Sequence, residues 1–201
     1  MGNKKQIMYS LEVETAAIKG EGKPHRHPLV VKGDLVTKYN DAVSTCYEAF
    51  RHSCETVGDS PCLGTRNGDS YEWLTYKQVQ ERVINFGNGL AVKGIKAEDS
   101  PVHVAIYSVN RTEWIVTEQA CFTKSFVTVP LYDTLGDASI KHICNQTEAA
   151  VCVATCDRAL NLVKLAKDID SLKMIVVMDS ISDALKDAVK AFEGRIERNI
   201  Y

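Results

Sequence analysis

The chain has 201 residues, 45% of them hydrophobic and 25% charged, with a formal net charge of −2. Those values suit a globular domain with one good core. They exclude a strong electrostatic pull toward nucleic acid, and no apolar run approaches the length of a membrane span. The opening Met-Gly-Asn-Lys-Lys-Gln lacks the apolar core of a secretory signal. Gly2 is followed by Gln6, where a myristoylation signal wants Ser or Thr.

Residues 1–43 read as an arm, with Lys, Gly, Pro and His scattered without period. His25-Arg26-His27-Pro28 reads as an exposed basic turn ended by proline, ahead of a metal or anion site. Residues 29–36 are expected to be a short strand or an extended strap. A helix is expected over 41–57, because Val43, Tyr47, Phe50 and Cys54 recur at three or four. Residues 62–66 and 71–75 are strand-like and flank Asn67-Gly68-Asp69, a hairpin signal because Asn and Gly tolerate positive φ. Thr75 and Gln78 form a capping box for the next helix. Val79, Val83, Phe86 and Leu90 line its inner face, and Gly94 stops it. Gly87-Asn88-Gly89 lies inside this helix with no strand before it, so it reads as close helix packing and not as a phosphate loop.

The branched apolar run 102–107 predicts a strand. Asn110 with Glu113 predicts a capping box, followed by Trp114, Thr117, Glu118 and Cys121 at helical spacing. A second strand is expected over 126–129, stopping at Pro130. The next helix is expected from Thr134, with Asp137 at the box position and Ala138, Ile140, Ile143 and Cys144 carrying it to 146. Residues 149–154 and 174–178 predict two more strands. Between them Asp157 is expected to cap a helix to 169, with Leu160, Val163, Leu165 and Ala166 inward. Ser180 with Asp183 is expected to open a last helix carrying Leu185, Val189 and Phe192 and ended by Gly194. The fold class is therefore α/β: a largely parallel sheet flanked by helices, with an N-terminal arm and a β-hairpin.

Seven cysteines stand at 46, 54, 62, 121, 144, 152 and 156. Their number is odd and none form Cys-x-x-Cys, which favours reduced thiols packed as small apolar groups. His142, Cys144, Cys152 and Cys156 match no closed zinc spacing.

Several blocks in order resemble the long-chain fatty acid–CoA ligases of the AMP-forming adenylating superfamily. They are Pro61-Cys62-Leu63-Gly64-Thr65-Arg66, Tyr71-Glu72-Trp73-Leu74-Thr75-Tyr76-Lys77-Gln78-Val79, and Asn110-Arg111 with Glu113-Trp114. Glu118-Gln119-Ala120-Cys121-Phe122 and Val129-Pro130-Leu131-Tyr132-Asp133-Thr134-Leu135-Gly136 complete the set. The resemblance is best over residues 47–153. Lys124 and Asp137 depart from it, standing where an aromatic residue and a proline are usual.

The resemblance implies ATP-dependent joining of a long-chain fatty acid to CoA, with AMP and diphosphate released. It implies ATP and Mg²⁺ as cofactors, with CoA as co-substrate. It also implies work in the cytosol, on the cytoplasmic face of endoplasmic reticulum, peroxisome, mitochondrion or lipid droplet, with peripheral membrane association left open. Such chemistry needs a Ser/Thr/Gly-rich loop to cradle phosphates, acidic residues for metal and ribose, and a mobile lysine. None is recognisable in this sequence, so no catalytic, cofactor-binding or metal residue is assigned, and neither ATP nor Mg²⁺ is expected to bind this chain alone. The chain reads as a 1–43 arm and an incomplete α/β AMP-binding-type domain over 44–201: the front of such a ligase, as a partial gene model, a truncated isoform or an engineered piece.

Three side chains remain to be weighed. Arg111 beside Glu113 reads as an ion pair before a phosphate site. Tyr132-Asp133 follows a strand's C-terminal end, where α/β ligands bind, or simply turns the chain. Ser108 lacks the flanking glycines of a nucleophile elbow, with Ile106 and Asn110 in their places. The alternative readings are a non-catalytic α/β interaction module or truncated regulatory isoform, and last a doubly wound nucleotide-binding regulator.

Overall fold

The computed structural model describes residues 8–16, 18–38, 40–97 and 100–192. The expected stop at Gly194 and the reading of residues 1–6 fall outside them. The chain divides into two compact units, Met1–Thr45 and Cys46–Tyr201. In the first, β1 (Leu11–Glu12) pairs antiparallel with β2 (His25–Arg26). The strap expected over 29–36 is instead a 3-10 turn at Pro28–Val30, headed by His27, whose ring accepts from the Leu29 amide. Proline's fixed φ favours the first position of such a turn.

The second unit opens with α1 (Cys46–Val57), which begins five residues later than the apolar spacing suggests. The hairpin follows as β3 (Pro61–Asn67) and β4 (Ser70–Thr75). Asn67 pairs with Ser70, so the loop is Gly68-Asp69, and of these only Gly68 takes positive φ, at 60°. Asn67 is thus a strand residue and not the turn residue expected. Trp73 lies across from Gly64, and a Cβ on that glycine would stand 3.0 Å from its ring.

Helix α2 (Tyr76–Val92) starts with the expected box: Thr75 accepts from the Gln78 amide while the Gln78 side chain accepts from the Thr75 amide. Its buried face is Val79, Val83, Gly87 and Leu90, and Gly94 at φ 84° closes it. Val79 and Val83 pack on Val116 and Ala120 of α3 (Thr112–Thr123). Gly87 allows that approach, since a Cβ there would meet Thr123 Oγ1 at 3.0 Å. Gly89 has no such reason: nothing lies within 4 Å of its absent Cβ.

The main sheet runs β6 (Val127–Leu131), β5 (His103–Tyr107), β7 (Val151–Ala154), β8 (Met174–Val177), all parallel. Alternate residues point to opposite faces, as a strand requires. Ala105, Tyr107, Leu131, Cys152, Ala154 and Ile175 pack with α4 (Asp137–Thr147), α5 (Cys156–Leu165) and α6 (Asp183–Ala191). Val104, Val151, Val153 and Met174 share the other core with Leu90 of α2 and Cys121 of α3. Chain order against spatial order puts the turning point between β5 and β7, because the crossovers leaving them run in opposite directions.

Local signals misplaced several boundaries. β6 passes through Pro130 where a stop was expected. Val127 donates its amide inward to Val102, so by alternation residue 130 faces away from β5, where an edge strand needs no N–H. Helix α3 is capped by Arg111 with no side-chain bond, α4 by Gly136, and α5 by Thr155. The carboxylates expected to cap them are engaged elsewhere: Glu113 by Arg111, Asp137 by Asn161, and Asp157 by Thr155. The last helix is capped by Ser182 and not Ser180. In α5 the fully buried positions are Ala159 and Leu162, while Leu160 is only partly covered.

Gly87→Leu forces a side chain into α3 and is expected to cost about 1–3 kcal/mol. Gly89→Ala relieves a helix-interior glycine and should add about 0.5–1 kcal/mol. Urea midpoints measure both; a loss at Gly89→Ala matching that at Gly87→Leu would refute this packing account.

Candidate functional site at the C-terminal rim of the sheet

Ligands of open parallel sheets bind at the C-terminal ends of strands where the winding reverses. Here that crevice lies above Tyr107 and Ala154, which pair in register. The Thr155 amide donates to the Tyr107 carbonyl at 3.3 Å and draws the two ends together. Ser108 is buried, and its hydroxyl donates to the neighbouring Val109 carbonyl at 2.9 Å. Among the described residues no base is bonded to it.

Arg111 crosses the crevice. Its Nε donates to Glu113 at 2.6 Å, and a second guanidinium nitrogen donates to Asp179, which follows β8. The other Asp179 oxygen accepts from the Cys156 amide, the first of α5, at 3.0 Å. One carboxylate therefore joins the loops after β5, β7 and β8 and stabilises a helix N-terminus. Burial works against the Arg111 charge, but the bonds to Glu113 and Asp179 outweigh it and hold the guanidinium pKa above its ordinary value. Asp179 is the rim residue that the sequence concealed. It stands 23 positions from the amide it holds, and no local spacing signals that.

The other side of the rim is also paired. Arg158 lies 5.5 Å from the Tyr107 ring centroid, 3.5 Å from Asp157 and 4.0 Å from Asp133. Asp157 is held below the usual carboxylate range, chiefly by the Thr155 hydroxyl. Tyr132 is 71% exposed. The Cys156 thiol donates to Ser182 Oγ at 3.3 Å and accepts from the Ser182 amide at 3.4 Å. Beside the rim, a cleft of about 580 Å³ separates the hairpin from the start of α3. Thr65 and Thr112 meet across it at 3.1 Å, while Arg66 Nε turns back to the Gly68 carbonyl. This arrangement clamps loops; its cations already have partners.

Lys124 Nζ reaches Asn88 at 2.7 Å, tying the end of α3 to α2. The cysteines are free thiols. Burial pushes Cys121 up to about 12, Cys144 up to about 11 and Cys152 well above the usual thiol value. Thiols so held are poor nucleophiles. Among the described residues no three His, Cys, Asp or Glu side chains group as metal ligands.

A family model described as AMP-binding enzyme matches residues 50–198. Long-chain-fatty-acid–CoA ligase 1 of Homo sapiens is 37% identical over 179 residues, 87% of this chain and 26% of that protein. Long-chain-fatty-acid–CoA ligase 6 of Homo sapiens is 35% identical over 182 residues, 89% of this chain and 26% of that protein. The chain thus spans about a quarter of the length of the curated relatives it matches. Among solved structures, the adenylation domain of a carboxylate reductase from Mycobacterium chelonae superposes with a TM-score of 0.66 at 20% identity, covering 77% of this chain and 27% of that one. The A-PCP didomain of the carboxylic acid reductase from Segniliparus rugosus, in complex with AMP, gives 0.65 at 20% identity, covering 77% and 25%. At that identity the likeness establishes the fold: a parallel sheet flanked by helices.

Asp179→Ala breaks two charge-assisted bonds and is expected to cost about 1–3 kcal/mol. Asp157→Ala should cost less than about 1 kcal/mol. Equal drops in urea midpoint would remove Asp179 from its linking role. Alkaline pH gives a second check. The folded Cys121 and Cys144 keep their protons to about 12 and 11, against 9.0 for an ordinary thiol. Above that ordinary value the unfolded chain holds fewer protons, so stability falls as pH rises, by up to about 1.4 kcal/mol per unit for each thiol. Cys121→Ala should make the decline shallower; an unchanged slope would contradict the assignment.

Proposed function

Because the chain belongs to the AMP-binding enzyme family, we propose that it is the front portion of the adenylating domain of a long-chain fatty acid–CoA ligase. Residues 44–201 are the α/β part of that domain and residues 1–43 an arm on it. The parent reaction joins a long-chain fatty acid to AMP, releases diphosphate, and passes the acyl group to the thiol of CoA. The match to human long-chain-fatty-acid–CoA ligase 1 over 87% of this chain carries the reading. ATP- or AMP-dependent adenylation is typical of the family.

At the rim Arg111 is already paired with Glu113 and Asp179. No step is assigned to a residue of this chain. Its part is the sheet and the clamped rim on which the reacting machinery is built. On this reading the parent enzyme works at the cytosolic face of an organelle membrane, bound peripherally; no helix among the described residues is long and apolar enough to cross one.

The 201 residues alone are expected to give no fatty-acid-dependent ATP–diphosphate exchange. A chimera with this chain in place of the matching quarter of human ligase 1 should retain exchange with palmitate. A folded chimera without exchange would refute the reading, as would clear turnover by the 201 residues alone.

A further inference from the structure

Two of the cysteines flank one peptide step. Cys54 of α1 is buried, and its thiol donates to the Tyr76 carbonyl at 3.6 Å. Cys62 of β3 stands where the register against β4 slips: Pro61 faces Thr75 and Leu63 faces Leu74, which leaves Cys62 as the extra residue. A bulge of this kind re-aims the side chain it carries. Here it packs Cys62 into the cluster that holds Phe50 and Leu74. Phe50 lies one turn before Cys54 on α1, and its ring is 6.3 Å from that of Tyr76. Both thiols therefore border the Thr75–Tyr76 junction, one from the helix and one from the strand. Burial pushes both thiols up, and the neighbouring Cys62 adds to the rise at Cys54.

The remaining cysteines are placed differently. Cys121, Cys144 and Cys152 have no solvent contact. Cys46 is exposed at the head of α1, and the Cys156 thiol is bonded to Ser182. Cys62 is half-buried, so a small oxidant can reach one sulfur of its pair while the other is held in the interior.

We propose that Cys54 and Cys62 form a reversible dithiol that hydrogen peroxide closes to a disulfide. The Cys62 sulfur attacks one peroxide oxygen, the O–O bond breaks, and the departing oxygen leaves as water with the Cys62 proton. A sulfenic acid remains on Cys62. The Cys54 sulfur then attacks the Cys62 sulfur, the S–S bond forms, the S–O bond breaks, and a second water carries away the Cys54 proton. Two thiols lose two electrons and one peroxide gains them. The product staples α1 to β3. The inference concerns this chain's own residues and does not rest on the adenylating reaction.

The test treats the 201-residue chain with hydrogen peroxide in native buffer and, in parallel, in urea. Remaining thiols are blocked with N-ethylmaleimide and disulfides are mapped by peptide mass spectrometry. Cys46 stands as many residues before Cys54 as Cys62 stands after it, so chain length favours neither partner. Native chain is expected to give Cys54–Cys62 as the main pair, with an unchanged circular dichroism spectrum. Urea should yield Cys46–Cys54 and Cys54–Cys62 alike. Dithiothreitol should restore both thiols. Cys62→Ser should remove the native cross-link, and Cys156→Ser should leave it intact. Another main pair in native buffer, the same mixture with and without urea, Cys62 oxidised without a partner, or thiols that all stay reduced would each overturn the proposal.

Discussion

The constraint behind this fold is the complete desolvation of β5 from Val104 to Tyr107. Val104, Ala105, Ile106 and Tyr107 are all essentially without solvent contact. A strand dry on both faces must be covered on both, and its backbone groups must be bonded on both edges. The first demand places α2 and α3 on one side and α4, α5 and α6 on the other. The second places β6 and β7 as its neighbours. Winding then has to leave β5 in one direction and return past it in the other, and that reversal creates the crevice at the sheet's C-terminal end.

What fills the crevice is a consequence of the same reversal. Loops that diverge above β5 and β7 would leave a helix N-terminus and a half-buried guanidinium facing each other. Asp179 lies between them, accepting from the Cys156 amide and from Arg111. Both positive ends are thereby neutralised within the chain.

Much of this was legible in the sequence where the signal is local and periodic. The Thr75 and Gln78 box, the inward face Val79, Val83 and Leu90, the Gly94 stop and the succession of four apolar strands all depend on residues within one or two turns of each other. The ion-pair reading of Arg111 followed from its neighbour Glu113, and the two do bond. The helix caps were harder, because a carboxylate near a helix start has competitors. Arg111 takes Glu113, Asn161 takes Asp137 from a different helix, and Asp179 accepts from the first amide of α5 from beyond the next strand. Those preferences depend on tertiary proximity, which spacing cannot register. The continuation through Pro130 was hidden for a related reason: its cost depends on whether the strand is central or marginal in the sheet.

That proline gives the sheet a handed growth rule. On β6 the margin beyond Pro130 lacks a donor, so a visiting strand would find a gap in its ladder. On β8, Met174 and Met178 donate inward to Ala150 and Ala154, so by alternation the amides of Ile175 and Val177 face outward in an uninterrupted row. One selvedge is hemmed and the other is still on the loom. Any further strand, from whatever source, has a chemically prepared seat beside Ile175 and Val177 and a poor one beside Pro130.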